Sequence, residues 1–203
     1  NDLYNNYGGI VSQCELSQSG WYIYINKDNA RLDYENQDTD NCFSANNCLA
    51  PNQWTHCALV NNSGTCQWYI NGVRSGASAS INASTNISEK LVIGSIGESN
   101  SNNNYYNGGI SNLRIVKGTA VYTDSFRPPT EPLTNITNTK LLCCNNSSTT
   151  GSTVTPSTIT ANGATANTDS PFDDPAGFKF GDSKEGIIKC GSYKGNGTAN
   201  SGR

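Results

Sequence analysis

The residues best equipped to hold a ligand lie in one loop, SIGESNSNNNYYN, from Ser95 to Asn107. Asn102, Asn104 and Asn107 carry amides that both donate and accept hydrogen bonds, which suits the hydroxyls of a sugar. Tyr105 and Tyr106 add flat apolar faces on which a sugar ring can lie. The plainer alternative is a solvated loop in which one tyrosine packs down as an anchor.

Other chemistry is poorly provided for. Hydrolysis of a glycosidic bond needs two carboxylates about 5–10 Å apart across that bond, as an E-x-D-x-E run on one strand would supply. Glu15, Glu35, Glu89, Glu98, Glu131 and Glu185 are scattered, Asp38 and Asp40 fall in a loop, and Asp173 and Asp174 lie in the tail. His56 is the only histidine, and no G-x-S-x-G motif supplies a nucleophile for it. A structural hydrogen bond or a stacking contact is the expected role of His56, opposite Tyr69. No catalytic residue is assigned.

Eight cysteines are present. No C-x2-C spacing occurs, which with one histidine argues against structural zinc, and no cofactor is expected. Cys42 and Cys48, closing the loop CFSANNC, are the best candidates for a disulfide. The other thiols are expected to be mostly free. Cys57 and Cys66 share a face but are not opposite each other, and the adjacent Cys143 and Cys144 should point to opposite faces of a strand.

The central positioning element is the stretch WTHCALVNNSGTCQWYING, from Trp54 to Gly72. Two strand-forming runs flank Asn61-Asn62-Ser63-Gly64, residues that tolerate the backbone of a reversal. A four-residue loop would set Val60 opposite Thr65 and Cys57 opposite Trp68. Alternation then puts Cys57, Leu59, Cys66, Trp68 and Ile70 on a core face. Trp54, His56, Ala58, Gln67 and Tyr69 fall on an outer face. Trp21, Trp54 and Trp68 are all read as core or sheet packing.

Around this hairpin the chain reads as more sheet. Strands are expected at 8–15, 20–26, 30–35, 90–94, 108–117 and 139–144. Residues 36–53 read as a polar loop. Residues 73–89 read as a crossing, with one short strand near Ser80 and Ile81. Arg114 should pair with a carboxylate or cap carbonyls. The chain is rich in Asn, Ser, Thr and Gly, has no Met, and bears a formal charge of −3. Short strand-forming runs between turn residues point to an all-β sandwich or barrel. The scarcity of Lys and Arg argues against nucleic acid, which requires a basic face. No apolar run approaches the ~20 residues of a membrane-spanning helix. The opening, NDLYNNYGG, lacks an initiator Met, which suggests a processed chain or a piece of a longer one.

Residues 145–170 are nearly all Ser, Thr, Asn, Ala and Gly, too polar to bury a core. The expected organisation is a sandwich domain over 1–144 and a linker or arm over 145–177. Residues 178–203 would start a second β module, or supply strands that dock on a partner.

The ordered set G-W-Y-I-Y-I, W-T-H-C-A-L-V, W-Y-I-N-G, L-V-I-G, Y-Y-N-G-G-I-S-N-L-R-I-V-K-G, V-Y-T-D-S-F-R-P-P-T-E-P-L and K-L-L resembles the concanavalin A-like lectin/glucanase superfamily, in its laminin-G-like branch. It is most similar to versions in tail-fibre and virion structural proteins of bacteriophages. The tail, TITANG through IIKCGSYKGNG, resembles a segment of marine cyanophage structural proteins. The resemblance implies a two-sheet antiparallel jelly-roll sandwich with an extended C-terminal arm. It implies a non-enzymatic virion module, located in a tail or surface appendage, that binds host-surface carbohydrate. Its partners would be other virion proteins and copies of itself, with a trimer favoured. The alternatives are a purely structural decoration and a secreted, extracellular lectin or adhesin.

The position of the 95–107 loop also matches the calcium loop of the related pentraxins. Glu98 and Asn100 are the residues there that could serve, a thin set for an ion that takes about six to eight oxygens. Family members begin with two further strands ahead of the position of Ile10. An edge left open by their absence would expose unpaired backbone groups. The preceding polypeptide or a neighbouring subunit is therefore expected to fill it.

Overall fold

The computed structural model describes residues 7–15, 19–36, 41–82, 88–97 and 104–172, with Glu15 and Ser19 described by their backbone alone. The expected module at 178–203 lies outside the described residues. Within them the structure is all-β, with antiparallel strand pairing throughout its sheets and no helix.

The first sheet is built from β1 (Gly8–Glu15), β2 (Ser19–Asn26), β3 (Arg31–Asn36) and β4 (Asn41–Phe43). In β2, Trp21, Ile23 and Ile25 alternate with Tyr22, Tyr24 and Asn26, so one side is apolar and the other polar-aromatic. The Lys27–Ala30 turn joins β2 to β3; the Asn26 side chain caps it by accepting from Asp28 N at 3.1 Å. β4 lies inside the stretch expected to be loop and pairs Phe43 with Asp33.

The hairpin contains β5 (Cys57–Asn62) and β6 (Thr65–Ile70), followed directly by β7 (Val73–Ser80). Its turn is tighter than expected. Ser63 and Gly64 alone reverse the chain, at φ 52° and 88°, with Gly64 N donating to Asn61 Oδ1 at 2.9 Å. Two consecutive positive-φ residues are the turn that matches strand twist. Asn62 therefore pairs with Thr65, and Cys57 with Ile70. The register differs from the four-residue expectation by two positions. Faces repeat every two residues, so each residue keeps its side of the sheet while every partner changes; Cys57, expected in the core, is exposed at the strand end, and Tyr69, expected on the outer face, is buried. β7 is a full strand where a crossing was expected.

β8 (Val92–Ile93) adds to β1, giving the order β4-β3-β2-β1-β8. β9 (Leu113–Val116), β10 (Thr139–Cys143) and β11 (Ser152–Val154) form a sheet in the order β11-β10-β9. β11 comes from the Ser/Thr/Asn-rich arm, whose start therefore adds an edge to the sheet rather than leaving it. β10 ends at Cys143; Cys144 turns to φ 56°, and the two thiols stand 3.8 Å apart instead of on opposite faces.

The main core lies between the five-stranded sheet and β5-β6-β7. Ile25, Leu32, Tyr34 and Cys42 from one side meet Cys66, Trp68, Ile70 and Ile81 from the other. Trp68 anchors this interface: its indole N–H donates to the Cys42 carbonyl at 2.9 Å. Truncating so buried a ring to Ala costs about 3–5 kcal/mol.

Between β9 and β10, the segment 117–136 reaches back to the hairpin. Phe126 N donates to Gly72 O at 2.9 Å, and Arg74 Nη2 to Thr123 O at 3.0 Å. A Cβ on Gly72 would stand 1.9 Å from the Phe126 carbonyl oxygen, so only glycine admits this strap. Arg114 caps the Thr134 carbonyl at 3.2 Å, one of the two roles expected of it. Among the described residues, β5 and β9 each have a single hydrogen-bonded neighbour, and no Cα of one lies within 8 Å of the other.

Candidate functional site

Two aromatic surfaces are candidates: the outer face of the five-stranded sheet with the adjoining Asn/Tyr loop, and the outer face of the hairpin.

On the first, register makes the site. Tyr22 lies opposite Glu35, Tyr24 opposite Asp33, and Asn26 opposite Arg31. The Glu35 carboxylate accepts from Tyr22 Oη at 2.6 Å and from Tyr24 Oη at 2.7 Å. Burial, and next the hydrogen bonds to Glu35, push both phenols well above the ordinary tyrosine range. Asp33 is 1% exposed and ion-paired to Arg31 at 2.7 Å; Asn26 Nδ2 donates to it at 2.9 Å. The Arg31 guanidinium lies 4.3 Å from the Phe43 ring centre. Tyr7 meets Tyr24 edge-on at 5.5 Å, and Lys27 Nζ stands 5.7 Å from the Tyr7 ring.

The Asn/Tyr loop is stitched to this sheet. Gly9 N donates to Asn104 O at 3.1 Å, Gly9 bridges to Tyr105, and Tyr106 N donates to Gly94 O at 2.9 Å. A Cβ on Gly9 would fall 2.4 Å from the Ser95 carbonyl carbon, so the glycine lets the 94–97 segment rest on β1. Ser12 Oγ donates to Ser95 O at 3.0 Å and accepts from Gly97 N at 2.9 Å. The two loop tyrosines divide the work. Tyr106 packs against the main core, while Tyr105 is 57% exposed. Asn104 is half-buried and Asn107 exposed. Asn102, Glu98 and Asn100 lie outside the described residues. Among the described residues, no three His, Cys, Asp or Glu side chains gather as a metal site would require.

Reading the carboxylates as scattered missed Asp33 and Glu35. They are two apart on β3 and so share its outer face. The signal was present in L-D-Y-E-N, but the partners that orient it lie on β2. Both carboxylates are engaged, one by a guanidinium and an amide, the other by two phenols.

The hairpin face differs. His56 pairs with Asn71, not with Tyr69: His56 O accepts from Asn71 N at 2.8 Å, and His56 N donates to Asn71 Oδ1 at 3.0 Å. Its ring meets Phe126 edge-on at 5.5 Å and Tyr122 at 6.3 Å, which agrees with the expected aromatic contact. Tyr122 and Phe126 are themselves stacked, with centres 3.6 Å apart. His56 Nδ1 is buried without a hydrogen-bond partner. Burial, and next the charge of Arg114, lower its pKa from the ordinary histidine value. Tyr69 is buried under Phe126, so this face is covered rather than ligand-facing. Trp54, expected to pack, is 42% exposed and stands over Gly109.

The expected Cys42–Cys48 bridge is not formed. Both are free thiols. Cys42 points into the core toward Cys66, and Cys48 Sγ lies 3.2 Å from Ser44 Oγ.

No curated protein and no solved structure gives a match to the chain. A family model does, over residues 3–121, which take in β1 to β9, the Asn/Tyr loop and the hairpin, and stop short of Tyr122 and Phe126. With its antiparallel all-β sandwich and this match across more than half its length, the chain belongs to the concanavalin A-like lectin/glucanase superfamily, in the family Laminin_G_3.

Proposed function

We propose that this protein is a non-enzymatic structural and adhesion module of a phage virion, a tail fibre or similar appendage, and that it binds host-surface carbohydrate. The observation that carries the binding reading is Tyr105. Its ring is presented to solvent from a stem bonded to β1, opposite Gly9 and two residues from the half-exposed Tyr7. Flat aromatic faces set among amides and carboxylates suit a pyranose, whose axial C–H groups pack on the ring while its hydroxyls find polar partners. The superfamily fold is compatible with this role. The non-enzymatic reading is supported by Asp33 and Glu35, each held by two side chains. The virion setting is supported by the ordered motifs from Gly20 to Leu133, which resemble phage versions of the fold.

One such site binds weakly, and repetition on an appendage would convert this to avidity. The one-sided pairing of β5 and β9 supports assembly, since a strand from a neighbouring copy or from preceding polypeptide can pair with an open edge. The test is a glycan array probed with the assembled protein, its mass fixed by light scattering. Binding that Tyr105→Ala reduces by tenfold or more is expected. Absence of binding at high valency overturns the adhesion reading and leaves a structural spacer.

A further inference from the structure

The covalent chemistry of the core is open to a specific reading. Cys42 on β4 and Cys66 on β6 belong to opposite sides of the sandwich, yet three contacts converge on them. The Trp68 indole, one side-chain repeat beyond Cys66 on the same face, donates to the carbonyl of Cys42 itself. Ala79, directly opposite Cys66 in the β6–β7 ladder, gives its backbone hydrogen bond to the Cys42 sulfur. The two free thiols also hydrogen-bond to each other, and both side chains are almost fully buried in the same cluster. Cα atoms of β4 and β6 come within 8 Å of one another, and closure would bring those of Cys42 and Cys66 to about 4.4–6.8 Å. Cys48, the sequence neighbour of Cys42, is turned toward Ser44.

We propose that Cys42 and Cys66 form a latent inter-sheet disulfide, closed by a small disulfide oxidant such as oxidised glutathione as the two sheets come together. The Cys42 thiolate attacks one sulfur of the oxidant, whose S–S bond breaks, and one glutathione leaves as a thiol after taking a proton from solvent. The Cys66 thiolate then attacks the Cys42 sulfur of the mixed disulfide, forming Sγ–Sγ and expelling the second glutathione, which takes up another proton. The two cysteine thiols give up two protons and two electrons, and one glutathione disulfide becomes two thiols. Exchanging the roles of the two cysteines leaves this balance unchanged. Timing matters, because in the closed sandwich both sulfurs are shielded and exchange requires exposure. Once formed, the link would tie the five-stranded sheet to the hairpin and restrict the unfolded chain between 42 and 66.

The test refolds the full chain with oxidised and reduced glutathione, alkylates remaining thiols and maps peptides without reductant. A Cys42–Cys66 linked peptide is expected, together with a melting temperature about 5 °C or more above that of the reduced protein. Cys48→Ser retains the link, and Cys66→Ser loses it. A Cys42–Cys48 peptide, or folded protein in which both Cys42 and Cys66 are alkylated on later denaturation, overturns the proposal. Cys48 packs at the half-buried margin of the main core, and Cys48→Ser leaves both sulfurs of the pair in place, so it remains decisive if Cys66→Ser fails to fold.

Discussion

The outer face of β2–β3 and the outer face of the hairpin are both lined with aromatic rings beside a titratable group, yet they are finished differently. On β2–β3 the phenols of Tyr22 and Tyr24 are tied to Glu35, and Tyr7 and Tyr105 keep exposed surface nearby. On the hairpin, the strap from Tyr122 to Phe126 lies over Tyr69 and His56, and the imidazole Nδ1 has no partner. Aromatic content alone does not mark a binding surface. Both faces are largely covered by their own chain: Tyr69 is 2% exposed under the strap, and Tyr24 and Asp33 are 7% and 1% exposed on the other side, where, among the described rings, Tyr7 and Tyr105 alone stand out at the margin.

The largest expected effect comes from opening the closed face. Gly72→Val forces a side chain into the Phe126 carbonyl and strains a residue at φ 78°. A loss of about 3 kcal/mol or more is expected from chemical denaturation. A variant as stable as the parent would show that the strap does not hold this face. Phe126→Ala removes the ring and leaves the backbone bond to Gly72, so a smaller loss of about 2 kcal/mol is expected for a half-buried phenylalanine. Neither change should alter glycan binding per folded molecule.

On the β2–β3 face, Glu35→Ala leaves two phenols without their acceptor and should cost about 1–2 kcal/mol. Its spectroscopic sign is more telling. The tyrosine pKa values of Tyr22 and Tyr24 are raised in the folded state, so the stability they contribute is full below the unfolded value of about 10 and is lost as pH rises beyond it. Titration of tyrosinate absorbance should show two late-ionising phenols in the parent, and earlier ionisation in Glu35→Gln. The smallest effect belongs to His56. Its pKa is lowered on folding, so its contribution is present above the unfolded value of about 6.5 and fades as pH falls below it. A slight drop in melting temperature between pH 7 and pH 5 is expected, and His56→Gln should flatten it. An unchanged slope in that variant would place the acid sensitivity elsewhere.

Much of the architecture was readable because it rests on alternation. Trp21, Ile23 and Ile25 against Tyr22, Tyr24 and Asn26 in β2, and Cys66, Trp68 and Ile70 in β6, sort as their period of two requires. β7 was not readable: V-R-S-G-A-S-A-S is small and polar, and it is a strand because β6 offers it an edge. Register was hidden for a related reason. Ser63 and Gly64 alone make the turn, but Asn61-Asn62-Ser63-Gly64 is equally good loop chemistry, and only cross-strand packing decides. The site was legible as the Tyr105 and Tyr106 pair, not in which of them faces water. The Glu35 clamp and the Cys42–Cys66 approach join residues from different strands, and spacing along the chain does not encode such meetings.

The bare backbone at Gly9 has a consequence for how such a module diversifies. Because β1 gives up a side chain there, the 94–97 segment and the Asn104–Tyr106 segment are fastened to the sheet through their own backbone, by main-chain bonds and by the Ser12 hydroxyl. The two ends of the loop are thus held independently of what is written between them. None of these bonds uses a side chain of residues 98–103. On the adhesion reading proposed above, a lineage following a changing cell surface could alter the sequence between Gly97 and Asn104 and keep the backbone bonds at both ends.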